Sequence, residues 1–194
     1  MFLTTVKALL HGIFLALAFP MAVLSGFGRS ETVYLCFAQG CALVPGIVGD
    51  YLRIAYYKLT LLECALESRI QFGSFFAHPQ ARVGRGVYIG SYCVLGRTAI
   101  GDRTQIASTV QILSGRYQHG RDAGGRILGS EGGVFEQVNI GADCWIGAAA
   151  IVMANVGAGS TVGAGSIVTR PVPPASIAMG NPARVVSGAS PEGA

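Results

Sequence analysis

The sequence predicts a mainly β protein, a parallel β-solenoid preceded by an apolar, helical N-terminal segment. Three observations predict this: branched aliphatic residues recur every six positions in the second part of the chain, the run 9–27 contains no Asp, Glu, Lys or Arg, and residues 50–66 contain helix formers without glycine or proline. We divide the 194 residues into a hydrophobic helical segment, 1–72, a solenoid domain, 73–187, and a flexible tail, 188–194.

The apolar N-terminal segment has three readings. A secretory signal needs a charged start, a short apolar run and a small-residue cleavage site, which the stretch up to Gly26 partly provides, although His11 and Pro20 interrupt it. Its length also suffices for one membrane-spanning helix, and a buried soluble cap is the third reading. We favour a helical hairpin or re-entrant element, with a second helix from about Thr32, because two apolar runs flank the polar hinge 28–31.

Residues 50–66 predict a third helix, since an aspartate stands in its first turn. The tyrosines of this segment, together with Arg53 and Lys58, suit a helix that lies between lipid headgroups and protein. Packing against the rest of the chain would explain the same composition equally well.

A six-residue period dominates the chain beyond Gly73. A strand has a period of about 2 and a helix one of about 3.6, so neither produces six. A solenoid of very short parallel strands does, because each corner directs one aliphatic side chain inward and needs a small residue next, where backbones approach closely. The aliphatic positions are Val83, Ile89, Leu95, Ile100, Ile106, Ile112, Ile140, Ile146, Val156, Val162 and Val168.

One segment, the loop 114–138, breaks this period. A long stretch without repeats inside a solenoid is usually functional. The loop contains His119, and a histidine imidazole can take the proton of an acceptor hydroxyl near neutral pH. Asp122 is the nearest carboxylate that could orient the imidazole, although Glu131 or a backbone carbonyl could serve instead.

Composition and charge argue against several classes of function. The net charge of +4 comes from 14 Lys and Arg against 10 Asp and Glu, and no basic cluster resembles a nucleic-acid site. The five cysteines have no C-x-x-C spacing, so neither a zinc site nor a disulfide framework is indicated, and a reducing compartment fits best. We assign structural roles to His11 and His78, and no metal is expected.

The repeat resembles the left-handed parallel β-helix of the hexapeptide-repeat acyltransferases over roughly residues 73–187. The resemblance is strongest in IGADCWIGAAAIV from Ile140, VGAGSIVTRPVPP from Val162 and GNPARVV from Gly180. Members of this family are typically homotrimers that transfer an acetyl or other acyl group from coenzyme A to a hydroxyl or an amine. The stretch ALVPGIVGDYLRIAYYKLTLLEC also resembles that of acetyltransferases for exopolysaccharide or colanic-acid-type synthesis.

This resemblance implies roles for individual residues. His119 is the implied catalytic base, although it stands seven positions after Ile112, whereas related sugar acetyltransferases commonly have the histidine five positions on, where this chain has Tyr117. Arg116 and Tyr117 are the predicted substrate-binding residues. Acetyl-CoA is the implied donor, and guanidinium groups after the last coils suit its phosphates. The predicted cofactor-binding residues are Trp145, Gly147, Gly165, Arg170 and Arg184.

The resemblance therefore implies an O-acyltransferase, most simply an acetyltransferase. Its acceptor would be a sugar of a cell-surface polysaccharide or of its lipid-linked precursor, at the cytoplasmic face of the bacterial inner membrane. A metal-dependent hydratase of the γ-carbonic anhydrase type is disfavoured, because it needs three converging histidines and only His78 and His119 lie in or near the coils. A non-catalytic trimeric anchor or scaffold module at the membrane would need neither the histidine loop nor Arg170 and Arg184.

Overall fold

The structure, a computed structural model, describes residues 2–129 and 132–188. Its helices are α1 (Phe2–Leu24), α2 (Glu31–Ala42) and α3 (Gly46–Thr60). The two helices predicted on either side of the polar hinge are therefore present. The predicted tail beyond Gly188 and the carboxylate of Glu131 lie outside the described residues.

The third helix lies earlier in the chain than the sequence predicts. It spans Gly46–Thr60 rather than 50–66. The backbone of Leu61 is extended, with φ −81° and ψ 163°, and the first strand begins at Glu63. The helix ends here because Leu61 and Cys64 are buried in the solenoid core, which an unbroken helix would not allow.

Short strands, most of them two residues long, form three faces. The first face contains β1 (Glu63–Cys64), β4 (Arg82–Val83), β7 (Thr98–Ile100) and β10 (Val138–Ile140). The second face contains β2 (Arg69–Ile70), β5 (Tyr88–Ile89), β8 (Gln105–Ile106), β11 (Trp145–Ile146), β13 (Thr161–Val162), β15 (Ser176–Gly180) and β16 (Ala183–Gly188). The third face contains β3 (Phe75–Phe76), β6 (Val94–Leu95), β9 (Gln111–Ile112), β12 (Ile151–Val152) and β14 (Ile167–Val168).

The chain visits the three faces in turn, and equivalent strands of successive turns pair in parallel. The final pair is different, because β16 runs antiparallel to β15. We call the corners between the third and first faces the third–first edge, and those between the second and third faces the second–third edge. These two edges position the residues of the candidate site.

The aliphatic ladder fills the interior of the solenoid. Ile106 is 0% exposed and lies in register with its equivalents Ile89 and Ile146. The following residues are small because successive turns touch there: a Cβ on Gly101 would overlap the backbone of Ala142. Both features predicted from the six-residue period are confirmed.

The solenoid begins at Glu63, earlier than the boundary at residue 73 that the sequence predicts. Its first turn already buries Cys64, Ile70 and Phe76. These three residues keep the six-residue spacing, but cysteine and phenylalanine stand where later turns have aliphatic residues. The six-residue repeat therefore already begins in this turn, but it is harder to recognise there because two of its inward positions are not branched aliphatic residues.

Arg53 joins the helices to this first turn. Its guanidinium, 0% exposed, donates hydrogen bonds to the carbonyl oxygens of Cys41 (3.1 Å), Val44 (2.7 Å) and Ile70 (2.8 Å) and to Asp50 Oδ1 (2.7 Å). The interpretation of Arg53 as a headgroup-facing residue is wrong. Burial lowers the pKa of this guanidinium, while the neighbouring Asp50 opposes that shift. A buried cation persists because so many acceptors surround it.

The first helix differs from the other two because most of its apolar side chains face outward. It packs on α3, where the rings of Phe14 and Tyr51 stack with centroids 5.5 Å apart. Within the described residues, the segment Thr5–Leu24 has the length and composition of a membrane span. Its mean hydropathy is 1.9, and only 11% of the apolar stretch is buried in the protein. Its exposed large apolar residues are Val6, Leu9, Ile13, Leu17, Phe19, Val23 and Leu24.

Candidate active site

The segment between β9 and β10 projects from the third–first edge as a two-sided arm. Its outgoing and returning sides are joined by backbone hydrogen bonds: Glu136 N donates to Ser114 O (3.0 Å), and Val134 N donates to Tyr117 O (2.7 Å). Farther out, Leu128 N donates to the carbonyl oxygen of Gly120 (2.9 Å). We define the arm as residues 114–137, of which the structure describes 114–129 and 132–137. In these described residues the predicted break in the repeat is an ordered excursion and not a structureless stretch.

Glycines allow the two sides of the arm to meet. A Cβ on Gly133 would overlap the carbonyl oxygen of Gln118, and one on Gly120 would overlap that of Gly132. The sequence folds back here because these positions have no side chain to keep the two sides apart. This contact fixes the segment that carries His119.

The imidazole of His119 is exposed, on the outgoing side of the arm. Within residues 2–129 and 132–188, it has no hydrogen-bond partner. An exposed imidazole without a partner is free to contact an incoming acceptor. The predicted base therefore lies on an ordered, accessible element.

Asp122 does not orient His119, and that prediction is wrong for this structure. Its Oδ1 accepts hydrogen bonds from the backbone amides of Gly124 and Arg126, each at 2.9 Å. Its Oδ2 lies 3.5 Å from Arg126 Nε. The carboxylate is engaged in closing the tip of the arm, since aspartate readily caps the backbone amides of a turn.

Arg116 and Tyr117 form a pair just before His119. The guanidinium carbon of Arg116 lies 5.6 Å from the centre of the Tyr117 ring, in a cation–π arrangement. The tyrosine is 64% exposed. The structure thus brings together three of the residues predicted for the acceptor site: Arg116, Tyr117 and His119.

A groove of about 520 Å³ runs along the first face, next to the point where the arm returns. Arg82, Asn139 and Asn155 line it, and Asn155 Oδ1 accepts a hydrogen bond of 2.8 Å from Asn139 N. Arg82, Asn139 and Asn155 are not among the site residues predicted from the sequence. The recurring pattern of asparagine, aliphatic residue and glycine at Asn139 and Asn155 could have indicated a polar row on one face.

Two of the five predicted cofactor residues lie on the second–third edge. Gly147 and Gly165 occupy this edge in adjacent turns, where Gly165 N donates to Ala148 O at 2.8 Å. Arg184 pairs with Met179 at the end of the same row of turns, and its side chain is exposed. Gly147 is also needed for stacking, since a Cβ there would lie 2.5 Å from the amide nitrogen of Ala164.

Trp145 projects outward from the second face and is 58% exposed. It lies in register with Gln105 and Thr161. Arg170 is elsewhere: it follows β14 and precedes Val172, which pairs with the first face, so it lies on the third–first edge with the arm. The two predicted phosphate-binding arginines therefore lie apart, Arg184 in β16 of the second face and Arg170 on the third–first edge.

No group of three or more His, Cys, Asp or Glu side chains that could hold a metal ion is present in the part of the chain that the structure describes. His78 lies at the foot of the arm and contacts Phe135, and His11 lies against Tyr51. These contacts fit the structural roles predicted for both histidines.

Comparison with known proteins agrees with this fold. The family model "Hexapeptide repeat of succinyl-transferase" matches residues 137–170. Nodulation protein L of Rhizobium leguminosarum bv. viciae is 45% identical over 112 residues, which are 55% of this chain and 57% of that protein. A probable serine acetyltransferase 2 of Oryza sativa subsp. japonica is 41% identical over 133 residues, 65% of this chain and 33% of that protein. The chain thus spans a little over half of the first relative.

Solved structures show the same architecture. A hexapeptide-repeat acetyltransferase of Vibrio cholerae, bound to acetyl-coenzyme A, has a TM-score of 0.68 at 22% identity and covers 84% of this chain and 92% of its own. A galactoside acetyltransferase in complex with coenzyme A has a TM-score of 0.67 at 21% identity and covers 84% of each chain.

The fold and its repeat define a hexapeptide-repeat β-solenoid protein, with the left-handed parallel β-helix that the sequence predicts. The resemblance to the hexapeptide-repeat acyltransferase family is confirmed.

Proposed function

We propose that this protein is an acetyl-CoA-dependent O-acetyltransferase whose acceptor is a sugar hydroxyl of a cell-surface polysaccharide or of its lipid-linked precursor. The observation that carries the proposal is the exposed imidazole of His119, without a hydrogen-bond partner among the described residues, on the arm that interrupts the solenoid. The sugar acceptor is supported by the likeness to a galactoside acetyltransferase and to a maltose O-acetyltransferase from Clostridium difficile 630, which has a TM-score of 0.64.

In the proposed reaction, the His119 imidazole removes the proton of the acceptor hydroxyl as that oxygen attacks the thioester carbonyl carbon. The C–S bond then breaks, the acetyl group remains on the acceptor oxygen, and the imidazolium returns its proton to the departing thiolate. A general base at this step typically contributes about 10²–10⁴-fold to the rate. Arg116 and Tyr117 would hold the sugar, since a guanidinium and a phenol both form hydrogen bonds with hydroxyl groups.

The donor would lie along the second–third edge. The corner at Gly165 has open space where a Cβ would stand, so the pantetheine chain can approach the backbone there. Arg184 in β16 of the second face would bind phosphate oxygens, for which a guanidinium is well suited. Trp145 on the adjoining second face would contact the pantetheine or the acceptor.

We further propose that the protein acts as a homotrimer. The arm and the second–third edge belong to different corners of one chain, and trimer formation would bring the arm of one subunit to the donor edge of the next. Size measurement in solution tests this, and a monomer at micromolar concentration would contradict it.

We also propose that the first helix holds the protein at the membrane. Its exposed apolar side chains, together with Leu43 after α2 and Ile47 in α3, are suited to lipid contact. We place the protein on the cytoplasmic face of the bacterial inner membrane, where cytosolic acetyl-CoA meets lipid-linked glycans. Cell fractionation tests this, and full-length protein that stays soluble without detergent or lipid would contradict it.

The test of the reaction combines two measurements. Purified full-length protein should release free coenzyme A from acetyl-CoA only when a suitable sugar is added. Surface glycans from cells that lack the protein should lose acetyl groups, as measured by mass spectrometry, and regain them with the wild-type gene but not with a gene encoding His119→Ala. Thiol release without any acceptor, or unchanged glycans, would contradict the proposal.

A further inference from the structure

The returning side of the arm rests on the solenoid through one aromatic ring. Phe135 lies edge-to-face with His78, with ring centroids 5.4 Å apart and planes at 70°. The guanidinium carbon of Arg97 lies 5.3 Å from the centre of the same ring. His78 and Arg97 stand on the third–first edge in successive turns. The ring therefore contacts two turns of the solenoid at once.

Buried polar atoms without partners cluster at this point. In the described residues, the buried side-chain nitrogen and oxygen atoms that lack a hydrogen bond are His78 Nδ1, Gln80 Oε1 and Arg97 Nε. Glu31 Oε2 lies 3.9 Å from His78 Nδ1, which is too long for a hydrogen bond. Native proteins seldom leave buried polar groups unpaired, so a cluster of them calls for an explanation.

We propose that Phe135, held between His78 and Arg97, is the seat that fixes the arm on the solenoid, and that His78 and Arg97 are positioning residues for acetyl transfer. This rests on the proposed function for the transfer step alone. In this proposal the arm leaves its seat transiently, and the unpaired atoms of His78, Gln80 and Arg97 are then hydrated. The seated arm is the resting position that the structure shows.

A direct path links the seat to His119. Phe135 lies between Val134 and Glu136, whose amides bond to the carbonyl oxygens of Tyr117 and Ser114 on the outgoing side. His119 is two residues beyond Tyr117. Moving Phe135 therefore moves the side of the arm that carries the proposed base.

The seat should also respond to pH. The charged groups facing His78 are Glu31 from α2 and Arg97 from the next turn, while the arm contributes the uncharged Phe135. Glu136 has its side chain against Gly115. Burial and Arg97 lower the pKa of His78, and Glu31 partly opposes them. Phe135 covers one side of the His78 ring, and we expect it to supply part of this burial, so that protonation of His78 in acid weakens the seat.

Cleavage by trypsin reports how often the arm leaves its seat, and the assay does not require acetyl transfer. The arm offers exposed cleavage sites at Arg116, Arg121 and Arg126. In full-length Phe135→Leu, we expect cleavage in the arm to be about tenfold faster than in the wild type, since two ring contacts are lost and cleavage follows the released population. Phe72→Leu is the matched control, because Phe72 makes a similar edge-to-face contact with Tyr92 away from the arm. Equal arm cleavage in wild type and Phe135→Leu would overturn the seat.

Two further readouts separate positioning from mere packing. Phe135→Leu should lower kcat and leave KM for acetyl-CoA unchanged, and faster arm cleavage with unchanged kcat would overturn the positioning role.

Hydrogen exchange of the arm amides, corrected for its intrinsic pH dependence, should increase in acid for the wild type but not for His78→Gln, which cannot be protonated. An identical acid response in both would refute the role of His78. If the wild type transfers no acetyl group, the cleavage result still decides the seat.

Discussion

The turns of the solenoid and the arm place their large side chains in opposite environments. In the turns, the aliphatic ladder is sealed from water, as Ile106 shows at 0% exposure, whereas in the arm Ile127 is 64% exposed. Glycine packs closely in both regions, since Gly101 has the next turn against it and Gly133 has the carbonyl oxygen of Gln118, but Gly129 in the arm has open space around it. The turns therefore determine stability, and the arm leaves its side chains free to bind a ligand.

The largest effect expected within the arm is on catalysis. We expect His119→Ala to lower turnover by about 10²–10⁴-fold, because a general base is lost, with melting temperature and oligomeric state unchanged. Steady-state kinetics and thermal unfolding check this. Tyr117→Phe is the comparison variant, since it removes only the phenol hydroxyl proposed to bind the sugar and should raise KM for the acceptor without a comparable loss of turnover. Near-normal activity of His119→Ala would move the base elsewhere.

The corresponding effect in the turns is on stability. Ile106→Ala should lower the free energy of unfolding by about 2–5 kcal/mol, because it leaves a cavity in the ladder. Ile127→Ala, the same change in the arm, should stay within about 0.5 kcal/mol of the wild type. Denaturant unfolding of both variants measures the difference. Similar losses for the two would mean that the arm is part of the core.

Substitution of Arg184 or Arg170 tests which of the two binds the phosphates of the donor. Arg184→Ala should raise KM for acetyl-CoA by about tenfold or more, because a charge-assisted phosphate contact is typically worth about 1.5–3 kcal/mol. Arg170→Ala should have the smaller effect if the donor follows the edge that contains Gly147 and Gly165. A larger effect from Arg170 would place the donor on the edge of the arm. Unchanged donor affinity in both variants would remove both residues from the site.

The smallest expected difference concerns glycine. Gly101→Ala should destabilise the fold by about 1–3 kcal/mol, because its methyl group meets the backbone of the next turn and the turns must shift. Gly129→Ala should be nearly neutral. Thermal unfolding of the two variants is a sufficient measurement. A neutral Gly101→Ala would show that the turns can separate more easily than their contacts indicate.

The architecture was predictable because the repeat is a local signal. A residue that points inward every six positions, followed by a small one, needs only the geometry of one corner to explain it. The first turn was missed since Cys64 and Phe76 take the ladder positions there. The predicted third helix ran to residue 66, beyond its observed end at Thr60. Leu61 and Cys64 misled the prediction because apolar residues at these positions also suit an apolar helix face.

The candidate site was predictable in part. His119 was found because the arm interrupts the repeat, and Arg116 and Tyr117 because they adjoin it. Asp122 was assigned by its distance in sequence, but its carboxylate is engaged by the amides of its own turn. Proximity along an irregular segment does not determine which atoms meet.

The sequence by itself determined the solenoid, its inward ladder, the presence of helices before it and the position of the arm, since each follows from the pattern of neighbouring residues. Only the tertiary structure decided that Arg53 is buried between the helices and the first turn, that Arg170 and Arg184 lie apart, and that Phe135 rests between His78 and Arg97. The physical reason is that these contacts join residues from separate turns or helices, and their geometry exists only after the turns have stacked.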